Sequence, residues 1–340
     1  MLQAVMVEAG KIEFGQVEKP KPEDHEVLIK IKRIGICGSD IHVFHGLHPY
    51  TNYPVVQGHE VSGEIAETGT LTRRFSIGDR VTFMPQVTCG KCYPCQHGMY
   101  HICDSLKVMG FQTGGAAQEY FVVPENMVLK LPDTLSLEEG AMIEPVSVAV
   151  HALGRGGDVH GEKILILGAG PIGNLVGQVA KGLGADAVMI TDLSDFRLDM
   201  ARQCGIDFAI NPEKGDLEAK VLNNFGPDRA DMILECVGVE SAISQAVSLA
   251  RKGTTIVVVG VFGKKPVIDL GLVQDRELSL VGTLMYQKKD YVKAIELAGS
   301  DKLMLKNLIT NTFSFSAYMD AYHYIEKKKD RAMKVMITLD

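Results

Sequence analysis

Lys163-Ile-Leu-Ile-Leu167 runs straight into Gly168-Ala-Gly-Pro-Ile-Gly173, and the reading of this junction decides the fold. A five-residue apolar run predicts a buried strand, and the G-x-G-x-x-G spacing behind it predicts the turn into a helix. Gly168 permits the tight turn, Gly170 lets a pyrophosphate approach the backbone, and Gly173 lets the helix pack close to the strand. Ile172, Val176, Val179 and Leu183 then recur at helical spacing, so phosphate charge meets the free N–H groups of a helix start. A second apolar run, Ala187-Val-Met-Ile-Thr191, leads to Asp192. A carboxylate about twenty residues past the turn accepts hydrogen bonds from adenosine ribose hydroxyls and repels a 2′-phosphate. The stretch therefore predicts a dinucleotide site on Gly168, Gly170, Pro171, Ile172, Gly173 and Asp192, with NAD rather than NADP. A glycine-rich turn in an α/β core with no ligand is the competing reading.

Around this junction, residues 146–286 alternate strand and helix patterns, as a doubly wound parallel sheet requires. Asp231-Met-Ile-Leu-Glu-Cys-Val-Gly238 and Thr254-Thr-Ile-Val-Val-Val-Gly260 read as buried strands ending in glycine. Their C-terminal ends face the ligand crevice in such a sheet, which places Val237, Gly238, Val259 and Gly260 near the nicotinamide. Leu278-Ser-Leu-Val-Gly-Thr-Leu-Met285 reads as the last sheet strand. Cys204 and Cys236 have no partners at metal spacing and read as small buried hydrophobes.

At 340 residues the chain is too long for one ordinary core, so two domains are expected. Hydrophobic residues make up 46% and charged residues 23%, and the formal net charge is −7, a balance that argues against a nucleic-acid surface. The longest basic run is Lys327-Lys-Lys329. The N-terminus has an early acid and no leader-like order, and no apolar run is long enough to cross a bilayer. A cytoplasmic enzyme with no membrane partner is expected.

Residues 1–145 carry short strand patterns such as Val27-Leu-Ile-Lys-Ile-Lys32 and Glu119-Tyr-Phe-Val-Val123, punctuated by glycine and proline, and predict a mainly β domain whose loops hold the polar chemistry. One loop is Gly35-Ile-Cys-Gly-Ser-Asp-Ile-His42 and the next is Gly58-His-Glu-Val-Ser-Gly63. Cys37 and His59 are ligand types that zinc prefers, and Glu60 or a later carboxylate could complete an open site. A third loop is more specific. Cys89, Cys92, Cys95 and Cys103 form C-x2-C-x2-C-x7-C, which can present four thiolates to one tetrahedral ion with no vacant position, as in structural zinc. A nucleic-acid-binding zinc ribbon, an iron–sulfur cluster and two disulfides are the rivals. The acidic balance opposes the first and a reducing compartment the last, while iron–sulfur ligation shares the spacing.

Taken in order, Gly35-Ile-Cys-Gly-Ser-Asp40, Gly58-His-Glu60, the four-cysteine lobe, Glu144-Pro-Val-Ser-Val-Ala-Val-His151 and Gly168–Gly173 resemble the zinc-dependent medium-chain alcohol dehydrogenases across nearly the whole chain, and most of all the sorbitol (polyol), butanediol and threonine branches. The resemblance implies a GroES-like catalytic domain over 1–145, a Rossmann domain over 146–286, and a return segment over 287–340 that rejoins the first domain. It implies two zinc ions per chain. The catalytic ion would be held by Cys37, His59 and Glu60, with Glu144 binding it directly or through its water. Ser39 matches the hydroxyl beside the zinc, His42 the outer base of the proton path, and Asp40 the acid that orients the zinc-binding histidine. A local turn is the alternative for Ser39 and Asp40, and a surface histidine for His42. Arg197 matches an arginine that flanks the adenosine, with an exposed helix arginine as its alternative.

The expected reaction is oxidation of a secondary alcohol on a polyol, sugar acid or small diol to a ketone, by way of a zinc-stabilised alkoxide and hydride transfer to NAD. Met285-Tyr286 stands where the sorbitol branch has an Arg-Tyr pair, and Val43 where it has tyrosine, which removes polar contacts to a long polyol. An L-threonine 3-dehydrogenase-type enzyme is the second reading and a non-catalytic dinucleotide-binding protein the third; retention of Cys37, Ser39, His42, His59 and Glu60 together argues against the third. The family resemblance also implies a homo-oligomer, dimer or tetramer.

Overall fold

The structure, a computed structural model, describes all 340 residues. It divides into two compact units, Met1–Glu144 with Gln287–Gly299 and Ile309–Asp340, and Pro145–Tyr286 with Ser300–Leu308.

In the first unit a hairpin, β1 (Leu2–Glu8) and β2 (Lys11–Gln16), precedes the long central strand β3 (Glu26–Ile36). Then come β4 (Glu60–Thr68), β5 (Arg80–Phe83), the two-residue strands β6 (Gln86–Val87) and β7 (Lys107–Val108), β8 (Tyr120–Pro124) and β9 (Val128–Lys130). Val27, Leu28, Ile29, Ile31, Ile34 and Ile36 of β3 are all buried, because this strand is paired along both edges and packed on the core. The loop expected over Gly35–His42 is in part a helix, Gly38–Phe44. Asp40 makes the difference: its Oδ2 accepts the Cys37 N–H at 2.9 Å and closes the first turn, a local bond that lets seven residues hold a helix.

The second unit holds β10 (Lys163–Leu167), β11 (Ala187–Thr191), β12 (Phe208–Ile210), β13 (Met232–Glu235), β14 (Thr255–Val258) and β15 (Ser279–Gly282). They form one parallel sheet in the order β12-β11-β10-β13-β14-β15. The order reverses between β10 and β13, and in open α/β sheets ligands bind at that reversal, outside the strand C-termini. Leu165, Leu167, Met189, Ile233 and Ile256 pack with Val221, Phe225, Ile243 and Val247 from the covering helices.

The tail returns to the first unit as helix Lys288–Gly299, β16 (Ile309–Ser314) and β17 (Lys334–Thr338), completing a sheet ordered β16-β17-β3-β4-β5-β9, with β8 beside β3. Its course is interrupted: Ser300–Leu308 belongs to the second unit, where the Met304 N–H donates to Gln178 Oε1 at 2.7 Å and Leu305 and Leu308 are buried. No helix is long and apolar enough to cross a membrane.

Candidate active site

Sheet register assembles the first site. β3 is antiparallel to β4 with Gly35 opposite Glu60, so Cys37, just past the end of β3, meets His59 and Glu60 at the start of β4. A Cβ on Gly35 would lie 2.2 Å from Glu60 Oε2; only glycine leaves room for that carboxylate. The ligand atoms of Cys37, His59 and Glu60 lie within 4.8 Å of one another. One thiolate, one imidazole and one carboxylate make a donor set suited to zinc with a position left open.

The surroundings are buried and charged. His59 is 4% exposed and its Nδ1 makes no hydrogen bond. Burial alone would depress the imidazole, but the Asp40 carboxylate, aided by Cys37 and Glu144, overrides it and raises His59 to about 10. The groups acting on the ring are thus predominantly negative, a setting that suits a bound cation. Asp40 Oδ1 stands 3.6 Å from His59 Nδ1, beyond hydrogen-bond length. The acid bonds instead to the Cys37 N–H and, at 3.1 Å, to Gln57 Nε2, while Tyr322 OH donates to Gln57 Oε1 at 2.6 Å. Burial pushes the Asp40 carboxyl up, with the His59 charge opposing. Glu144, 6% exposed in the first turn of helix Ile143–Gly156, acts on His59 and Lys334 but lies outside the three-atom cluster. Ser39 is half-buried and His42 exposed in helix Gly38–Phe44.

Glu60 has a partner that reading the sequence missed. Lys334 of β17, fully enclosed, donates to both Glu60 oxygens at 2.6 Å and to the Ile36 carbonyl at 3.3 Å. Burial works against its charge, and Glu60 with Cys37 outweighs that and raises its pKa. The available signal was a lone cation in the apolar run Met333-Lys-Val-Met-Ile337, since lysine is almost never fully buried unless paired.

Cys89, Cys92, Cys95 and Cys103 form the second cluster, with all four sulfurs within 4.8 Å. Cys103 Sγ is 3.5 Å from Cys89 Sγ and 3.7 Å from Cys92 Sγ, and all four cysteines are free. The Lys91 and Cys92 N–H groups hold the Cys89 thiol down to about 6, whereas burial and the neighbouring thiols push Cys95 up to about 12. Four thiols so close cannot all ionise without a cation among them, so the geometry fits the closed zinc site. The start of the return segment fastens this lobe. Gln287 Nε2 donates to the Gly98 carbonyl at 2.9 Å, and the Lys288 N–H to Tyr100 OH at 2.6 Å.

In the second unit, Gly170 caps helix Pro171–Gly182 and Pro171 occupies its first turn, where the missing proline N–H leaves nothing unsatisfied. Ile172 is half-buried at the second helical position. A Cβ on Gly173 would lie 1.9 Å from the Gly168 carbonyl oxygen, which is the close helix–strand packing anticipated for the third glycine. Asp192 Oδ2 accepts the Ala169 N–H at 2.9 Å and Oδ1 accepts the Ser194 N–H at 2.8 Å, so this carboxylate also braces the glycine turn. Arg197 Nη1 stands 3.6 Å from Asp192 Oδ2. Val237 is 47% exposed, and Val259 and Gly260 are half-buried at the ends of β13 and β14.

Glu235, the last residue of β13, organises both of those ends and was also missed. It is fully buried. Its Oε1 accepts the Val237 and Gly238 N–H groups, each at 2.8 Å, and its backbone carbonyl accepts those of Val259 and Gly260, each at 2.8 Å. Burial raises its pKa against these donors. Its signal was an acid closing the otherwise apolar run Met232-Ile-Leu-Glu235. The two unpaired cysteines divide. Cys204 is buried and pushed up to about 11 by that burial, while Cys236 is half-exposed by surface area with its thiol still raised by desolvation.

The positions expected to tune the substrate look different in the fold. Val43 is 1% exposed in the core of the first unit, so its side chain cannot meet a substrate. Tyr286 is fully buried, and Met285 adopts a φ of +52°.

Fold and sites together define an alcohol-oxidising zinc dehydrogenase. Residues 23–133 match the alcohol dehydrogenase GroES-like domain and residues 171–300 the zinc-binding dehydrogenase family. The chain is 38% identical over 291 residues to 2-dehydro-3-deoxy-L-galactonate 5-dehydrogenase of Pseudoalteromonas atlantica, covering 85% of each protein. It is 36% identical over 344 residues to a sorbitol dehydrogenase of Halalkalibacterium halodurans, covering 99% of each. An Escherichia coli alcohol dehydrogenase complexed with the cofactor NADH superposes with a TM-score of 0.92 at 31% identity, over 100% of this chain and 99% of that one. The chain belongs to the zinc-dependent medium-chain alcohol dehydrogenase family, as its motifs implied.

Proposed function

We propose that this protein oxidises a secondary alcohol on a polyol, sugar acid or small diol to the ketone, with NAD as hydride acceptor. The observation that carries the reading is the convergence of Cys37, His59 and Glu60 within 4.8 Å, in a chain that also holds a separate four-cysteine cluster and a glycine turn braced by Asp192. The names of the two relatives, one acting on a sugar acid and one on a polyol, support the substrate class, and the NADH complex supports the cofactor.

Cys37, His59 and Glu60 would hold the catalytic zinc, with Glu144 binding it directly or through its water, and Cys89, Cys92, Cys95 and Cys103 would hold the structural one. When bound, the metal would supply Lewis acidity that favours the deprotonated alcohol, and the nicotinamide cofactor would supply the hydride acceptor. Ser39 would accept the alcohol proton at its hydroxyl while giving up its own hydroxyl proton outward, and His42, exposed to water, would take up that proton and release it to solvent. Asp40 fixes the Cys37 backbone and keeps the His59 ring in a negative field. Gly168, Gly170, Pro171, Ile172 and Gly173 seat the pyrophosphate at the helix start. Asp192 takes the adenosine ribose hydroxyls with Arg197 beside it, and Val237, Val259 and Gly260 border the nicotinamide.

The deciding experiment measures NADH formation by zinc-loaded protein with polyols, aldonic acids, 2,3-butanediol and threonine, next to a chelator-treated sample. Turnover of a polyol, sugar acid or diol that is lost on chelation is expected. Turnover of threonine alone favours the amino-alcohol reading, and silence despite bound zinc and NADH overturns the proposal.

Cofactor preference gives a separate check. Replacing Asp192 with Gly is expected to raise the ratio of kcat/KM for NADP to that for NAD by about tenfold or more, because the 2′-phosphate no longer meets a carboxylate and Arg197 is released toward it. Asp192→Asn keeps an acceptor for the Ala169 N–H and should shift the ratio in the same direction. An unchanged ratio in both variants removes Asp192 from cofactor selection.

A further inference from the structure

Between helix Gly38–Phe44 and His59 the chain makes a loop whose aromatic residues none of the roles above uses. The His48 ring stacks on Phe111, centroids 4.9 Å apart and planes 12° apart, and the Phe111 ring in turn leans on His59 at 4.8 Å and 49°. His48 is thus one aromatic ring away from a zinc-site imidazole. The loop is tied down at several points. Gln112 Nε2 donates to the Tyr50 carbonyl at 3.3 Å, Gln112 Oε1 accepts the Val108 N–H at 2.9 Å, and Tyr53 OH donates to the Val43 carbonyl.

His48 has one nitrogen committed and one uncommitted. Its Nδ1 is 2.8 Å from Thr51 Oγ1, and Nε2 makes no hydrogen bond within the protein, although the residue is half-buried. Its stacked, tethered ring loses little freedom when a ligand binds, which is the setting in which one hydrogen bond discriminates. Burial, with His42 and His59 adding to it, lowers the His48 pKa, which favours the neutral ring. A neutral imidazole complements a hydroxyl and has no charge to offer a carboxylate.

We propose that His48, stacked on Phe111 and held by Thr51, is a specificity-determining residue that hydrogen-bonds, through Nε2, a substrate hydroxyl other than the one being oxidised. This rests on the alcohol-oxidising reading above. The ring of Phe111 supplies an apolar face for the substrate's carbon chain, and His48 reads whether that chain carries a further hydroxyl. Val43, whose side chain is in the core, cannot do this.

The test uses the zinc-loaded full chain and compares His48→Ala and His48→Gln with wild type on the best polyol of the panel and on 2-butanol, which has a single hydroxyl. Loss of one hydrogen bond to a bound hydroxyl is expected to lower kcat/KM for the polyol about 10–100-fold, mainly through KM. Activity on 2-butanol should stay within about twofold, and Gln should recover part of the loss. Zinc content and NADH affinity should not move. Thr51→Val, which removes the tether to Nδ1 but keeps the stack on Phe111, should loosen the aim of Nε2 and shift the polyol-to-butanol ratio in the same direction by less, and it carries the test if His48→Ala fails to fold. Equal losses on both substrates, or no loss on either, overturn the proposal. A wild type that turns over only monohydroxy alcohols also overturns it while leaving alcohol oxidation intact. A wild type that turns over no alcohol with zinc and NADH bound overturns the underlying function instead.

Discussion

Cys37→Ser is expected to lower kcat/KM for alcohol oxidation by about 10³-fold or more, since a catalytic metal contributes several kcal/mol to the barrier. Serine is a poor zinc ligand near neutral pH, and the remaining imidazole and carboxylate do not make a tight site. Zinc content should fall from two ions per chain to one, because the four-cysteine cluster lies on a different loop with its own ligands. NADH should still bind, since Cys37 belongs to the first unit and the glycine turn to the second. Metal analysis, NADH titration and steady-state kinetics on one preparation separate the outcomes. Retention of both zinc ions with near-normal turnover would remove Cys37 from the metal site, and joint loss of zinc and NADH binding would mean that the substitution unfolds the chain.

Lys334→Met should produce the largest change in stability. Lys334 and Glu60 are 4% and 1% exposed at the side chain and bonded through both carboxylate oxygens. Removing one partner of such a pair leaves a buried charge uncompensated, at about 3–5 kcal/mol. In chelated protein that whole penalty should appear as a lower melting temperature. If zinc binds at Glu60 as proposed, the metal takes over part of the compensation, so the deficit should shrink in zinc-loaded protein, and the loss should be smaller again in Lys334→Arg. Pairing Lys334→Met with Glu60→Gln removes both charges and should recover much of the chelated protein's stability. If Lys334→Met melts equally far below wild type with and without zinc, Glu60 is not at the metal and the pair is purely structural.

Much of the organisation was legible before the fold was known. The glycine turn, Asp192 and the four cysteines are local patterns: their spacing along the chain constrains their spacing in space, because strand, turn and knuckle are each made of a few consecutive residues. Alternating strand and helix patterns likewise announced the parallel sheet, and the structure supplies it in the order β12-β11-β10-β13-β14-β15. Helix Gly38–Phe44 leaves no such signature, because seven residues are too few to show a helical period.

What the sequence determined by itself was the chemistry available: two sets of residues suited to a metal, one glycine turn suited to a phosphate and one acid spaced for a ribose. Only the tertiary structure decided how those groups are held. Gly35 faces Glu60 because β3 and β4 pair in one register, and Lys334 reaches the same carboxylate from β17, 274 residues away in the chain. Glu235 pins two loops that follow different strands, and His48 meets Phe111 across two loops. The physical reason is the same in each case. Burying a charge or tethering a ring is favourable only when a partner is already in place, and that partner arrives by sheet pairing and loop packing between segments far apart in the chain.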